Sequence, residues 1–282
     1  MGEQTTQASN LRYGSKIIFL GTGAQSIVLG KQIRASGGII IQSGENQIHI
    51  DPGPGALVRA KEFGVNLREN TALLVSHNHI GHCNDVNAVI DAMTYSGLDR
   101  QGVLISNETL INGTEDIVPY LTKFHRNCLE KVMVLKEGQK AAIYDIEIKA
   151  IPVVHSESNA IGFRILTPEF DLVYTSDTDY SNKIIEAYQG CDILILNVVN
   201  PTEYKTTGNL CTEDAIKIIE KVKPRLSIIT HFGVKMVEAD PINEAREIQK
   251  QTKQQVIAAK DGMSINPATY AAKSQQKSLK SY

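Results

Sequence analysis

Twelve short runs rich in Val, Ile and Leu, each closed by glycine, proline or a polar turn, limit what this chain of 282 residues can fold into. They fall at residues 16–20, 38–42, 47–50, 71–75, 103–106, 131–135, 147–153, 161–166, 171–176, 193–196, 226–229 and 255–258. Helical spacing appears over 85–95, where Val86, Val89, Ile90 and Met93 share one side. Further helices are read at 183–188, 212–222 and 243–252. Thr212 followed by Glu213 and Asp214 is a good helix start, because acids suit the positive end of the helix dipole. In each half, strands come first and helices follow, which predicts an α/β chain of two sheets with helices outside them. No repeat, low-complexity block or linker divides the sequence, so one domain over 1–282 is expected. Its polar ends, about 1–13 and 271–282, read as loose.

Charge narrows the function classes. With 29 Lys+Arg against 31 Asp+Glu, the formal net charge is −2, and no global basic excess points to nucleic acid or anionic membrane. No apolar run approaches the roughly 20 residues of a membrane span, and the polar N-terminus lacks the apolar stretch of a secretory signal. Gly2 with Thr6 matches an N-myristoylation pattern too short to carry weight. Cys83, Cys128, Cys191 and Cys211 are widely spaced with no C-x-x-C pair, which fits a reducing compartment and predicts a cytoplasmic protein.

The chemistry is concentrated in histidine. Of seven in the chain, three fall in Ser76-His77-Asn78-His79-Ile80-Gly81-His82, directly after the apolar run 71–75. His77 and His79 are two apart, so an extended segment points them to the same side. His82 follows as the chain turns into a helix and approaches from another direction. Three neutral imidazoles gathered in this way suit Zn²⁺. A polar surface loop is the ordinary alternative, and an internal position right after a buried strand argues against it.

The run His77-x-His79-x-Gly81-His82 resembles the His-x-His-x-Asp-His motif of the metallo-β-lactamase-fold metallohydrolases, with glycine where the family has aspartate. Matching segments follow in the family's order: His155 in Pro152-Val153-Val154-His155, Asp177 in Thr175-Ser176-Asp177-Thr178, and His231 in Thr230-His231-Phe232. Phe19-Leu20-Gly21-Thr22-Gly23, Asp51-Pro52-Gly53 and Lys260-Asp261-Gly262-Met263 extend the resemblance across about 16–265. The resemblance implies a four-layer αββα sandwich. It implies one metal held by His77, His79 and His155, and a second held by His82, His231 and a bridging Asp177. One or two Zn²⁺ per chain are expected, with Mn²⁺ or Fe²⁺ as alternatives. Asp177 and His231 are the implied catalytic residues. A water between two cations has its pKa lowered toward neutrality, and the hydroxide attacks a phosphoryl or carbonyl centre.

Gly81 can neither ligate nor orient a water, so the second site is left with three protein ligands. Asp85, one turn beyond His82, is a candidate replacement, although an acid there is more ordinarily a helix-terminus residue.

For substrate, the sequence is most similar to the ribonuclease Z-like branch, which implies phosphodiesters: RNA, DNA or a cyclic nucleotide. Gly208-Asn209-Leu210-Cys211-Thr212 carries Asn209 where that branch has histidine, so proton transfer is lost there while hydrogen bonding to an oxyanion is kept. Gly21, Thr22 and Gly23 offer backbone amides to a phosphate, or simply make a tight turn. Lys31, Arg34, Lys205 and Lys235 are candidates to line a mouth, against the usual reading of scattered cations as solvated surface. Two other readings stay open: hydrolysis of a lactone, thioester or β-lactam, and a degenerate metal- or nucleic-acid-binding module disabled by Gly81. Homo-oligomerisation is left open, and no membrane partner is expected.

Overall fold

The apolar runs are continuous rather than strictly alternating because most of their strands are covered on both faces. In β1 (Tyr13–Gly21), Ile17 and Phe19 enter one buried layer while Ile18 and Leu20 enter another. The computed structural model describes residues 13–271, so the Gly2 pattern and nearly all of the two polar ends lie outside the described residues.

Five strands follow β1 in the first sheet: β2 (Ser36–Gly44), β3 (Asn46–Ile50), β4 (Ala72–Val75), β5 (Val103–Ser106) and β6 (Lys131–Val134). The second sheet contains β7 (Lys140–Ile143), β8 (Ile146–Ile151), β9 (Gly162–Leu166), β10 (Asp171–Tyr174), β11 (Ile193–Asn200), β12 (Leu210–Cys211), β13 (Leu226–Thr230) and β14 (Val256–Ala258). The chain then returns to the first sheet as β15 (Ser264–Ile265). Strand order is β15-β1-β2-β3-β4-β5-β6 in one sheet and β14-β13-β11-β10-β9-β8-β7 in the other, with β12 beside β11. From β3 to β6 the pairings are parallel, as they are among β10, β11, β13 and β14. β9 is antiparallel to both β8 and β10, so those two run the same way.

Between the sheets lie Ile17, Phe19, Ile48 and Leu74 from one side and Ile148, Ile165, Leu172 and Ile195 from the other. Burying each such side chain contributes about 1.5–3 kcal/mol. The helices are α1 (Gln25–Gly30), α2 (Ala56–Glu62), α3 (Ile80–Cys83), α4 (Val86–Thr94), α5 (Glu108–Asn112), α6 (Lys123–Cys128), α7 (Asn182–Tyr188), α8 (Thr212–Val222), α9 (Val234–Ala239) and α10 (Pro241–Thr252). Residues of α2, α4, α5 and α6 pack with the outer face of the first sheet, and residues of α7 to α10 with that of the second. The αββα sandwich expected from the sequence is the observed architecture.

Several boundaries differ from the sequence reading in a consistent way. The runs expected over 147–153 and 171–176 leave the sheet at Ile151 and Tyr174, and the residues freed deliver His155 and Asp177 to one end of the sandwich. β11 instead runs on to Asn200, past a polar Asn197 that breaks its apolar signature. β7 was not expected, since its buried and exposed residues simply alternate in Lys-Ala-Ala-Ile at a sheet edge. Among the described residues no helix is long and apolar enough to cross a membrane, and all four cysteines are buried and unpaired.

Candidate metal centre

Most side chains of the centre stand just beyond a strand end. Asp51 follows β3, His77 and His79 follow β4, His155 follows β8, Asp177 follows β10 and His231 follows β13. His82 lies on α3, which opens immediately after His79. Three of the turns use left-handed backbone at non-glycine residues: Asp51 (φ 49°), Ser176 (φ 57°) and His231 (φ 63°). Such conformations cost about 1–3 kcal/mol each and persist where the surrounding structure fixes them.

The expected first set comes together. His77 Nε2 lies 3.0 Å from His79 Nδ1, and His155 Nε2 lies 3.2 Å from the same atom. Four nitrogens around Zn²⁺ at 2.0–2.1 Å would be spaced by about 3.3 Å along each tetrahedral edge, so these separations fit the ion. The lone pairs are held ready. Burial, aided by neighbouring imidazoles, drives His77 well below its ordinary pKa and lowers that of His79. His77 Nδ1 faces Ser76 Oγ at 3.0 Å, and His155 Nδ1 donates to the Gly208 carbonyl at 2.8 Å. Fixing the far ring nitrogen in this way sets the tautomer that leaves Nε2 free.

The second set is built around Asp177. Its Oδ2 lies 3.3 Å from His82 Nε2 and its Oδ1 lies 3.2 Å from His231 Nε2, while Asn197 Nδ2 donates to Oδ1 at 2.8 Å. Burial alone would raise the Asp177 pKa, yet His231 and His82 hold it well below the usual carboxylate range. Donor atoms of His77, His79 and His155 lie within 4.8 Å of one another, and so do those of His77, His82 and Asp177. Two imidazole-rich triads sharing one residue are a donor set suited to a pair of borderline divalent cations.

Asp51 was quoted from the sequence only as a matching segment, and it is the buried hub of the centre. Its two oxygens accept from the Ser76 amide (2.7 Å), the Ser76 hydroxyl (2.8 Å), His82 Nδ1 (2.9 Å) and the Tyr174 hydroxyl (2.7 Å). His82 is thereby suspended between Asp51 and Asp177. Burial opposes its charge, but the two carboxylates outweigh it and raise its pKa to about 10.

Asp179 is a second residue that the sequence did not single out. It accepts from the Gly208 amide at 3.2 Å, its own amide donates to the Val154 carbonyl at 2.7 Å, and Lys205 bridges it to Asp214. The Thr178 hydroxyl accepts from the Val154 amide at 2.9 Å. The 152–155 and 201–208 loops, which hold and orient His155, are thus tied to the residues just after Asp177. Asp179→Ala is expected to weaken the first metal site by about 10–100-fold while sparing the second. Titrating both sites calorimetrically checks this, and equal weakening of the two would refute it.

At several other positions the structure favours the more ordinary of the two readings. Asp85 is no replacement ligand: its Oδ2 accepts from the Gly55 and Ala56 amides (3.0 and 2.8 Å) and caps α2. The loop at Gly21, Thr22 and Gly23 is held as a tight turn by the protein's own groups. The Gly23 amide donates to the Ala35 carbonyl at 2.8 Å, the Thr22 hydroxyl donates to Asp261 at 2.7 Å, and Gly21 packs on the Ala35–Ser36 backbone. Asn209 turns its amide back toward Thr206 and Thr207, so its neighbour Gly208 is what reaches the centre. Of the expected mouth cations, Lys205 is paired as above, Lys235 pairs with Glu238, and Arg34 lies over the Phe232 ring. The remaining two histidines stand apart. His49 is fully buried with Nε2 2.7 Å from the Gly37 carbonyl, and burial lowers its pKa to about 4; His125 lies on α6 near Asp91.

A cleft of about 720 Å³ opens onto His79, Gly81, His82, Asp177 and His231. On its other side Gly81 borders a cavity of about 20 Å³, shared with Asp51, Tyr174 and Asn197.

Comparison with known proteins agrees with this architecture. The profile described as the beta-lactamase superfamily domain matches residues 46–232. The chain is 37% identical over 252 residues to the uncharacterized protein MJ1374 of Methanocaldococcus jannaschii, covering 89% of this chain and 94% of that protein. Its structure is similar to the metallo-beta-lactamase fold protein YhfI from Bacillus subtilis (TM-score 0.74, 20% identity, 90% and 99% of the two chains covered). It is also similar to the short form of human tRNase Z (TM-score 0.63, 14% identity, 89% and 98% covered). Profile and fold agree: the chain belongs to the beta-lactamase superfamily and has the metallo-β-lactamase fold.

Proposed function

We propose that this chain is a metal-dependent hydrolase of phosphodiesters. The observation that carries this reading is the pair of triads sharing His77, with the ionised Asp177 carboxylate facing both His82 and His231. In this reading His77, His79 and His155 hold one divalent cation, and His82, His231 and Asp177 hold or bridge to a second, with Zn²⁺ the first candidate and Mn²⁺ or Fe²⁺ the alternatives. A bound cation pair supplies a nucleophile at neutral pH by lowering the pKa of a water, and a Lewis acid for the developing negative charge.

The protein's own contribution is orientation. Gly208 and Ser76 fix the His155 and His77 rings, Asp51 fixes His82, and the Asn197 amide holds Asp177 from behind. Asp177 and His231 are the residues we assign to catalysis. Similarity to tRNase Z supports a phosphoryl over a carbonyl centre, and the buried, unpaired cysteines support the reducing cytoplasm as its location.

The test is hydrolysis of chromogenic phosphodiesters, lactones and β-lactams by the protein loaded with Zn²⁺ or Mn²⁺. Phosphodiester turnover is expected to disappear on chelation and to fall at least ~10²-fold in Asp177→Asn, which keeps the shape but loses the charge. Turnover confined to carbonyl substrates, or surviving both treatments, would refute the assignment.

A further inference from the structure

The cleft above the centre is unlike a groove for a polyanion. Beyond the candidate ligands and Gly81, it is lined by Gln25, Ser26, Leu29, Pro54 and Ile80, with Gly30 and Asn78 completing it. Among the described residues none of these is lysine or arginine, and none is Phe, Tyr or Trp. Proteins that hold single-stranded nucleic acid combine a cationic track with aromatic stacking platforms, and double-stranded sites need several phosphate-neutralising cations. The cationic side chains Lys205, Lys235 and Arg34 are engaged elsewhere, and Lys31 is not among the lining residues.

The cleft instead presents exposed apolar surface beside the centre. Ile80 sits between His79 and Gly81 and is 62% exposed, so it offers apolar surface directly beside the candidate ligands. Leu29 reaches toward the same point, its Cδ1 3.3 Å from where a Cβ on residue 81 would stand. With glycine at 81, Leu29, Ile80 and Pro54 form an apolar wall bordering the cleft. Its volume, about 720 Å³, lies in the range of sites for single small ligands.

We propose that Leu29 and Ile80 are specificity-determining residues, and that the substrate is a small phosphodiester carrying an apolar alkyl or aryl ester group that packs between them. This rests on the phosphodiester reading above and narrows it. In the reaction water adds its oxygen to phosphorus, one P–O ester bond breaks, and the leaving oxygen takes up a proton, giving a phosphomonoester and an alcohol.

The experiment uses the metal-loaded full chain with methyl, butyl and phenyl 4-nitrophenyl phosphodiesters and with a short oligonucleotide. kcat/KM is expected to rise about 10-fold from methyl to butyl or phenyl, from apolar burial alone, and to exceed that for the oligonucleotide. In Ile80→Ser and Leu29→Ser the rise should collapse to about 2-fold or less, chiefly through KM. Equal kcat/KM across the series, or preference for the oligonucleotide, overturns the proposal. Calorimetric titration with phenylphosphonate and methylphosphonate gives a second readout that needs no turnover. Phenylphosphonate should bind about 10-fold tighter to the parent protein, with the difference lost in both variants. If no phosphodiester is cleaved, the phosphodiester reading fails, while the phosphonate pair still decides whether the wall selects apolar groups: tighter phenyl binding upholds that selection, and equal affinities overturn it.

Discussion

Gly81→Asp is expected to tighten binding of a second divalent cation by roughly 10²-fold and to raise turnover by a comparable factor. In the reading proposed above, glycine leaves the second set with His82, His231 and Asp177 as its protein donors, and nothing on residue 81 would orient an attacking water. A misplaced nucleophile costs about 10²-fold in rate. The backbone admits the change. Residue 81 lies outside the positive-φ glycines, an added Cβ would meet Leu29 Cδ1 alone within 4 Å, and both the cleft and the 20 Å³ cavity border this position. By contrast, Gly53 could accept no side chain, since its Cβ would collide with the Gly81 and Ser36 carbonyls. Metal content after limited chelation, and calorimetric titration of parent and variant, measure the effect. Unchanged second-site affinity in a folded Gly81→Asp protein would mean that residue 81 does not face the second cation.

Half of the ligand candidates were legible from a local signal. His77, His79 and His82 announce themselves by spacing after an apolar run, whereas His155, Asp177 and His231 read singly as structural or turn residues and were raised only by the resemblance to the family's order of segments. What escaped the sequence is what only tertiary structure creates. Asp51 precedes Pro52 and Gly53, so locally it reads as a turn acid. It becomes a hub only when β3, β4 and β10 bring Ser76, His82 and Tyr174 onto its two oxygens. Gly208 acts through a backbone carbonyl, which no residue type reveals. The Gly21-Thr22-Gly23 loop shows the same limit in reverse, since two readings of it stayed open. Its local pattern suits a phosphate, but Thr22 is claimed by Asp261, which lies 239 positions away in sequence. Short elements such as α3, β12 and β15 have too few residues to show a period, and packing alone specifies them.

Asp51→Ala is expected to cost the metal-free protein about 3–5 kcal/mol at neutral pH, because it breaks a buried charge pair and leaves the Ser76 and Tyr174 donors unpaired. For a chain of this size that corresponds to a fall in Tm on the order of 10 °C. The pH dependence separates this charge effect from simple loss of packing. His82 is raised from its ordinary 6.5 to about 10 in the folded protein, so its protonated form contributes stability that is complete below pH about 6.5 and is lost as pH rises through about 10. Metal-free parent protein should therefore lose this contribution progressively between pH 6.5 and 10. In Asp51→Ala, with Asp177 the remaining carboxylate facing His82, that decline should be clearly shallower. The same proton opposes the second cation, since His82 Nε2 must be deprotonated to ligate. Second-site affinity should accordingly climb about tenfold per pH unit below pH 10 in the parent and less steeply in the variant. Urea unfolding of metal-free protein at pH 7 and pH 9, paired with metal titrations at the same values, tests both slopes. Parallel slopes in parent and variant would show that Asp51 holds the centre together by packing rather than by fixing the charge on His82.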